Sequence, residues 1–191
     1  PFDERGIAVS DQRDGTPKGY HVLEVDSTDV SVRFKAAGKP ADFQMRIMYD
    51  VMHHQQRKDA IRDSLHGTTL DGFMSEDEVA AASILVNLFD GGPKSKVSYR
   101  VNDGNYVPME RVLRTDPYIV EQFQRYESVK KSWVQATDST HIFSADLDDS
   151  ISRGTHTVTV RAIDEFGRVH HGHSILEITG GMRGTEAAVK Y

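Results

Sequence analysis

The sequence contains no cysteine, which excludes disulfide bonds, cysteine-ligated zinc and thiol chemistry. It contains a single tryptophan, Trp133, in 191 residues. No apolar run approaches the roughly 18 residues that a membrane-spanning helix requires, so no membrane span is expected. What is left is the composition of an ordinary globular chain, with 38% hydrophobic and 27% charged residues.

The sequence also has no excess of positively charged residues. The chain has 23 Lys and Arg against 29 Asp and Glu, and its formal net charge is -6. Nucleic-acid binding depends on Lys and Arg side chains that neutralise phosphates, so this balance predicts no nucleic-acid partner. A chain of this length buries roughly 70% of its unfolded surface, which is enough for a core without disulfides or metals.

The chain begins with Pro1 rather than Met, which predicts that it is a piece of a longer polypeptide. Residues 1–18 are polar and turn-prone, and we interpret them as a linker from an upstream domain. Residues 19–178 are the predicted folded domain, with a sub-boundary at 52–78, and residues 179–191 are a predicted flexible tail.

The first half of the chain predicts a β-hairpin and a third strand. Residues 20–26 and 30–35 flank a short polar turn, and Val30, Val32 and Phe34 alternate with polar residues as in a half-buried strand. Residues 45–49 alternate in the same way. After a polar excursion, Ser75 and Glu78 have the spacing of a capping box at the start of a short helix.

The second half predicts further strands. Residues 84–86 form a buried run, residues 97–101 alternate, and Gly104 is expected to supply a positive φ in the turn that follows. Asp116 and Pro117 are a typical helix start. The clearest strand lies within residues 154–167, in which His156, Val158, Val160 and Ala162 share one face, and residues 174–178 close the fold as a last strand.

Seven or eight short strands separated by turns, with few helices, favour a β-sandwich. The predicted fold class is therefore mainly β: an immunoglobulin- or fibronectin-like β-sandwich with an N-terminal β-hairpin extension and one or two short helices. Residues 154–167 resemble the penultimate strand and the following turn of such modules.

Four strings of residues carry a further resemblance. They are 14–20 (Asp-Gly-Thr-Pro-Lys-Gly-Tyr), 32–38 (Val-Arg-Phe-Lys-Ala-Ala-Gly), 86–92 (Val-Asn-Leu-Phe-Asp-Gly-Gly) and 154–158 (Gly-Thr-His-Thr-Val). Together they resemble the C-terminal region of bacterial calcineurin-like metallophosphoesterases. The resemblance implies an upstream phosphoesterase domain in the same polypeptide, a non-catalytic β-rich domain here, and a periplasmic or secreted location.

The resemblance also implies two divalent metal ions, held in that upstream domain by Asp-x-His, Gly-Asp-x-x-Asp, Gly-Asn-His and Gly-His-x-His elements. This chain has no Gly-Asp and no Gly-Asn-His. Its nearest match is Gly172-His173-Ser174-Ile175, where isoleucine stands in place of the second histidine. We therefore expect no catalytic residue and no cofactor in this chain, which by itself is not an enzyme.

His171 and His173 are the candidates if the chain does bind a metal. In a strand they would point to the same face, and Asp164 or Asp90 could supply a third ligand from elsewhere. The alternative interpretation is a turn rich in exposed polar residues. Two histidines without a third ligand at a fixed spacing are a weak zinc signature, so no metal is expected.

Trp133 and Tyr126 are candidates for a ligand contact, because aromatic rings beside polar groups can stack on sugars. A buried anchor, in the core or against another domain, is the favoured interpretation of Trp133. Phe2, Arg5 and the segment 52–78 are where we expect contact with an upstream domain.

Two functions of different classes follow from these observations. The first is an accessory domain that packs on the upstream phosphoesterase domain, modulates access to its metal site, or mediates self-association into a homo-oligomer. The alternative is a β-sandwich module that binds carbohydrate or another component of the cell envelope.

Overall fold

The computed structural model of the chain describes residues 12–51, 72–128 and 130–180. Within these ranges the fold consists of strands and two short helices. The strands are β1 (Gly19–Asp26), β2 (Asp29–Ala36), β3 (Met45–Asp50), β4 (Phe73–Ser75), β5 (Ser83–Leu88), β6 (Lys96–Val101), β7 (Val107–Thr115), β8 (Asp138–Asp146), β9 (Gly154–Ile163) and β10 (Val169–Thr179). The helices are α1 (Glu76–Val79) and α2 (Pro117–Arg125).

The predicted N-terminal hairpin is confirmed. Strands β1 and β2 form a separate two-stranded antiparallel sheet, in register from Gly19 opposite Ala36 to Asp26 opposite Asp29. Ser27 lies in the connecting turn with a φ of 56°. A positive φ is what a two-residue hairpin turn requires, because it matches the twist of the two strands.

The other eight strands form one sheet in the order β3-β5-β8-β7-β6-β9-β10-β4. Strand β7 joins its two halves: residues 107–109 pair with β6 and residues 110–115 pair with β8, with an irregularity between Val112 and Arg114. The sheet curls so that β10 faces β3. A Cβ atom added at Gly172 would lie 2.7 Å from the sulfur of Met45. The prediction of a mainly β, sandwich-like domain is thus confirmed.

The core lies between the two facing layers. Val86 and Phe143 contribute from β5 and β8, and Val160 and Leu176 contribute from β9 and β10. The predicted alternation in β9 is confirmed for Val158, Val160 and Ala162, which are buried. Each fully buried side chain of this size contributes roughly 1.5–3 kcal/mol.

Both predicted helix starts are confirmed. The carboxylate of Glu78 accepts a 2.7 Å hydrogen bond from the backbone amide of Ser75, as a capping box requires. Asp116 is the N-cap of α2, and its Oδ1 accepts a 2.7 Å hydrogen bond from the amide of Tyr118. Helix α2 buries the apolar face that contains Ile119 and Phe123.

Two local predictions are wrong. In the turn after β6 the positive φ belongs to Asn102, at 50°, and not to Gly104. The last strand begins at Val169 rather than at residue 174, because residues 169–173 pair with β9 although their side chains are polar. His170, His171 and His173 therefore lie in a strand and not in a turn.

Parts of the predicted domain division fall outside the described residues. These are residues 1–11 of the linker, residues 52–71 of the polar excursion and residues 181–191 of the tail. The division into linker, domain and tail stays a prediction. In the described part of the chain, neither helix has the length and apolar character needed to cross a lipid bilayer.

Candidate functional site: the hairpin junction and the N-terminal clamp

The base of the hairpin is anchored on the sandwich by aromatic rings. The ring of Phe34 lies 5.9 Å from that of Phe89, centroid to centroid, and Phe43 lies 5.2 Å from Phe89 on the other side. Gln44, which is buried, donates a 3.0 Å hydrogen bond to the carbonyl of Phe34. These contacts fix the hairpin at its base, and we call the region the hairpin junction.

A cavity of about 390 Å³ lies at the hairpin junction. Its walls come from the hairpin, from the segment after β5 and from the turn between β9 and β10. The residues that give it chemical character are His21, Phe34, Phe89, Asp90, Asp164, Glu165, Phe166, Arg168 and His170. Its volume lies within the range of small-molecule sites.

Two histidine–carboxylate pairs line this cavity. Nε2 of His21 lies 3.0 Å from Oδ2 of Asp90, and both side chains are about half exposed, at 52% and 48%. Nε2 of His170 lies 3.1 Å from Oδ2 of Asp164, and this pair is mostly buried. In each pair the carboxylate holds a proton on the Nε2 atom of the imidazole.

Asp164 organises the turn between β9 and β10. Its Oδ1 accepts 2.9 Å hydrogen bonds from the backbone amides of Phe166 and Arg168, and its Oδ2 accepts a 2.7 Å bond from Nε of Arg168. Burial alone would raise the pKa of Asp164, but the hydrogen bonds from His170 and Arg168 outweigh it and lower the pKa. Arg168 also donates to the carbonyl of Val32, which ties the turn to the hairpin.

The walls of the junction cavity carry several charged side chains. Asp90, Asp164 and Glu165 are acidic, and Arg168 is the basic side chain in its wall. The walls contain no serine, threonine or cysteine that could act as a nucleophile. Among the described residues, no group of three or more His, Asp or Glu side chains is placed to hold a metal ion.

His171 and His173 lie on one face of β10, as the sequence predicted for residues in a strand. Both are exposed. His171 lies opposite Arg161 of β9, whose positive charge opposes a cation at this face. The carboxylates considered as third ligands, Asp164 and Asp90, instead accept from His170 and His21.

A second polar cluster joins the segment before the hairpin to the sheet. We call it the N-terminal clamp, and it comprises Asp14, Gly15 and Thr16 together with Arg46, Asn87, Asp116 and His141. At its centre, Nδ1 of His141 lies 2.8 Å from Oδ1 of Asn87. Nε2 of His141 lies 3.2 Å from Oδ2 of Asp14 and 3.4 Å from the hydroxyl of Thr16. The cluster positions the chain at its entry into the domain.

The deepest group of the clamp is Asp116, which has no exposed surface. Its Oδ2 accepts a 2.5 Å hydrogen bond from Asn87 and lies 3.5 Å from Nη1 of Arg46. Burial raises the pKa of Asp116, although Arg46 and Asn87 act against that shift. Arg46 also donates a 2.6 Å bond to the carbonyl of Gly15, and its guanidinium lies 3.7 Å from the ring centroid of Tyr118.

Sequence reasoning did not find the clamp. It identified Asp116 only as a helix cap and gave no role to Arg46 or His141. A signal was available, because Asp14 and Asn87 both lie within strings that carry the family resemblance. Those strings mark positions but do not say that the side chains meet, which requires the sheet pairing.

The prediction that Trp133 is an anchor in the core is wrong, and its contact with another domain stays a prediction. Its side chain is 71% exposed. It lies in the irregular segment between α2 and β8, outside both layers of the sandwich, and therefore does not pack in the core. Tyr126, at the C-terminal end of α2, is half-buried. Phe2 and Arg5 lie outside the described residues.

Comparison with known proteins places the chain in a family. A family model described as the C terminal of calcineurin-like phosphoesterase matches residues 1–170. No curated protein and no solved structure matches the chain significantly. The match spans both the clamp and the hairpin junction and agrees with the resemblance of the four strings. The chain therefore belongs to the family of C-terminal domains of calcineurin-like phosphoesterases.

Proposed function

We propose that this chain is a non-catalytic accessory domain of a bacterial calcineurin-like metallophosphoesterase. The observation that carries the proposal is the family match, which covers residues 1–170 and describes a C-terminal region of such enzymes. The upstream domain holds two divalent metal ions and performs the hydrolysis. This chain packs on that domain or modulates access to it, and the whole protein is periplasmic or secreted.

The geometry of the clamp supports this role. Arg46 donates to the carbonyl of Gly15, and Arg13 donates a 2.6 Å bond to the carbonyl of Gln135. The segment that enters the domain is thus bonded to the sheet through backbone as well as side chains. The chain is therefore attached to the sheet from Arg13 onward, which favours contact with a domain that precedes it.

Turnover by the chain and by the native polypeptide tests the proposal. We expect this chain alone to hydrolyse neither phosphomonoesters nor phosphodiesters in the presence of Mn²⁺ or Zn²⁺. The native polypeptide is expected to hydrolyse one of these classes and to lose that activity with a chelator. Turnover by the chain alone that persists through rigorous purification would overturn the proposal, as would a native polypeptide without metal-dependent turnover.

A second candidate function is binding of carbohydrate or another cell-envelope component. The observation that favours it is the exposure of Trp133, because exposed tryptophan combines an apolar ring with a polar N–H. Glycan-array binding that is lost in Trp133→Ala but retained in Tyr106→Ala would support this candidate. Tyr106 is a suitable control because its ring is also exposed, at 39%, and lies between other strands. Binding that survives Trp133→Ala would count against a role for Trp133.

A further inference from the structure

One face of the hairpin is apolar except for His21. The cross-strand register places His21 opposite Phe34, Leu23 opposite Val32, and Val25 opposite Val30, all on the same face. The opposite face carries mostly polar residues, among them Glu24, Ser31, Arg33 and Lys35. The sequence of β2 therefore has the pattern of a strand with one buried face.

Only the base of this face is covered. Phe34 is 4% exposed, whereas Leu23, Val25 and Val30 are 61%, 63% and 54% exposed. A hairpin with one exposed apolar face is marginally stable by itself and is usually stabilised by packing against another element. Contiguous exposed apolar residues of this kind typically mark a protein–protein contact. We call Leu23, Val25 and Val30 the hairpin face.

The hairpin face continues onto the sandwich. Phe166, in the turn between β9 and β10, is 46% exposed and lines the same groove as Val25 and Val30. The groove also contains three carboxylates, those of Glu24, Asp26 and Asp29. An apolar strip with an acidic border is complementary to a surface that has apolar side chains bordered by Lys or Arg.

We propose that the hairpin face is the surface on which the upstream phosphoesterase domain docks. This inference rests on the proposed function, which supplies the upstream domain. Chain order supports the assignment, because only Pro17 and Lys18 separate Thr16 of the clamp from the first residue of β1. Among the described residues, the hairpin is the first element after the clamp, so a domain that precedes residue 12 would be connected to the chain close to the hairpin.

The charges argue against a second copy as the occupant. Glu24, Asp26 and Asp29 line the groove beside Val25 and Val30, so the border that a partner meets there is acidic. A second copy of this chain would present the same acidic border. A domain whose apolar patch is bordered by Lys or Arg would instead be attracted to these carboxylates.

Hydrogen–deuterium exchange on the native polypeptide and on this chain tests the docking surface. We expect the backbone amides of residues 23–32 to exchange about tenfold more slowly in the native polypeptide, because docking covers them. The double variant Val25→Asp/Val30→Asp should abolish that difference in the native polypeptide. The same double variant of this chain alone is the reference, because two carboxylates opposite each other at the Val25–Val30 pair also weaken the hairpin itself.

Leu113→Asp is the matched control. Leu113 is an exposed apolar residue of β7, at 69%, and lies outside the hairpin. This substitution should leave the protection of residues 23–32 intact.

Three outcomes separate this inference from the proposed function. If another face is protected in the native polypeptide while residues 23–32 exchange at the same rate as in this chain, the inference is overturned and the proposed function stands. A native polypeptide without phosphoesterase turnover would overturn the proposed function instead. If this chain forms dimers and the double variant Val25→Asp/Val30→Asp dissociates them, the hairpin face belongs to a contact with a second copy, and the inference is overturned.

Discussion

The side-chain amide of Asn87 donates a 2.5 Å hydrogen bond to Oδ2 of Asp116, a carboxylate that has no exposed surface. Asn87 belongs to β5, whereas Asp116 caps α2. The other oxygen of Asp116 accepts from the amide of Tyr118, and Arg46 approaches from β3. One buried carboxylate therefore connects two strands, a helix end and the chain's entry segment.

Asp116→Ala is expected to lower the free energy of unfolding by about 2–4 kcal/mol. The substitution removes the helix cap, which contributes about 1 kcal/mol. It also removes the acceptor shared by the buried amide of Asn87 and the partly buried guanidinium of Arg46, which costs more than the cap itself. Urea unfolding followed by circular dichroism measures the change. Asp149→Ala, at an exposed loop aspartate, is the control, and equal effects of the two variants would contradict the role given to Asp116.

A side chain at Gly15 is expected to lower the free energy of unfolding by more than the strain of a positive φ alone would. Its φ is +86°, and a Cβ atom there would lie 2.2 Å from Oδ2 of Asp116. Gly38 also has a positive φ, at +69°, but no atom lies within 4 Å of its Cβ position. Gly38→Ala should therefore cost about 1–2 kcal/mol from backbone strain. Gly15→Ala should cost at least about 2 kcal/mol more, because it displaces the buried carboxylate.

Urea unfolding of both glycine variants gives the comparison directly. The difference between them isolates the contact with Asp116, because the backbone strain is common to both. Equal losses would mean that the clamp adjusts to a methyl group at position 15 without cost.

The hairpin and strand β9 could be predicted because their signals are local. Val30, Val32 and Phe34 share a face by the period of a strand, and Val158, Val160 and Ala162 do the same. The period indicates which residues share a face but not what covers that face. Val30 is exposed although its pattern is that of a half-buried strand, because coverage depends on a partner that the strand itself does not contain.

The clamp could not be predicted, because its contacts are distant in sequence. His141 and Asp14 are 127 positions apart, and Asn87 and Asp14 are 73 apart. The periodicity of a strand or helix relates residues only a few positions apart, so it cannot predict such a contact. The wrong placement of Trp133 in the core has a different cause, because it came from what is usual for tryptophan in sandwiches and not from the pattern of residues around it.

The stability of the chain should fall in acid partly through Asp14. Burial alone would raise the pKa of Asp14, but hydrogen bonds from His141 and from the amide of Thr16 outweigh it and lower the pKa to about 2. The folded chain then binds this proton less readily than the unfolded chain, so the contribution is complete above about pH 5 and is lost as pH falls toward 2. The carboxylate is 32% exposed, and with solvent screening the contribution is about 1–2 kcal/mol.

Comparison with Asp14→Asn isolates this contribution. The free energy of unfolding of the original chain should drop more steeply between pH 5 and pH 2 than that of the variant. Burial raises the pKa of Asp116, whose contribution has the opposite sign, but it is common to both proteins and cancels in the difference. Parallel pH profiles would show that the contact between Asp14 and His141 does not stabilise the fold.

Fluorescence provides a direct check on Trp133, since it is the only tryptophan in the chain. With 71% of its side chain exposed, we expect the emission maximum of the folded chain to lie close to that of free tryptophan. Unfolding in urea should shift it little, and acrylamide should quench it almost as well before unfolding as after. A second chain carrying Phe123→Trp and Trp133→Phe supplies the buried reference, because Phe123 is 5% exposed. Emission from Trp133 that matches this reference would mean that the indole is covered, and it would remove the support for carbohydrate binding at this residue.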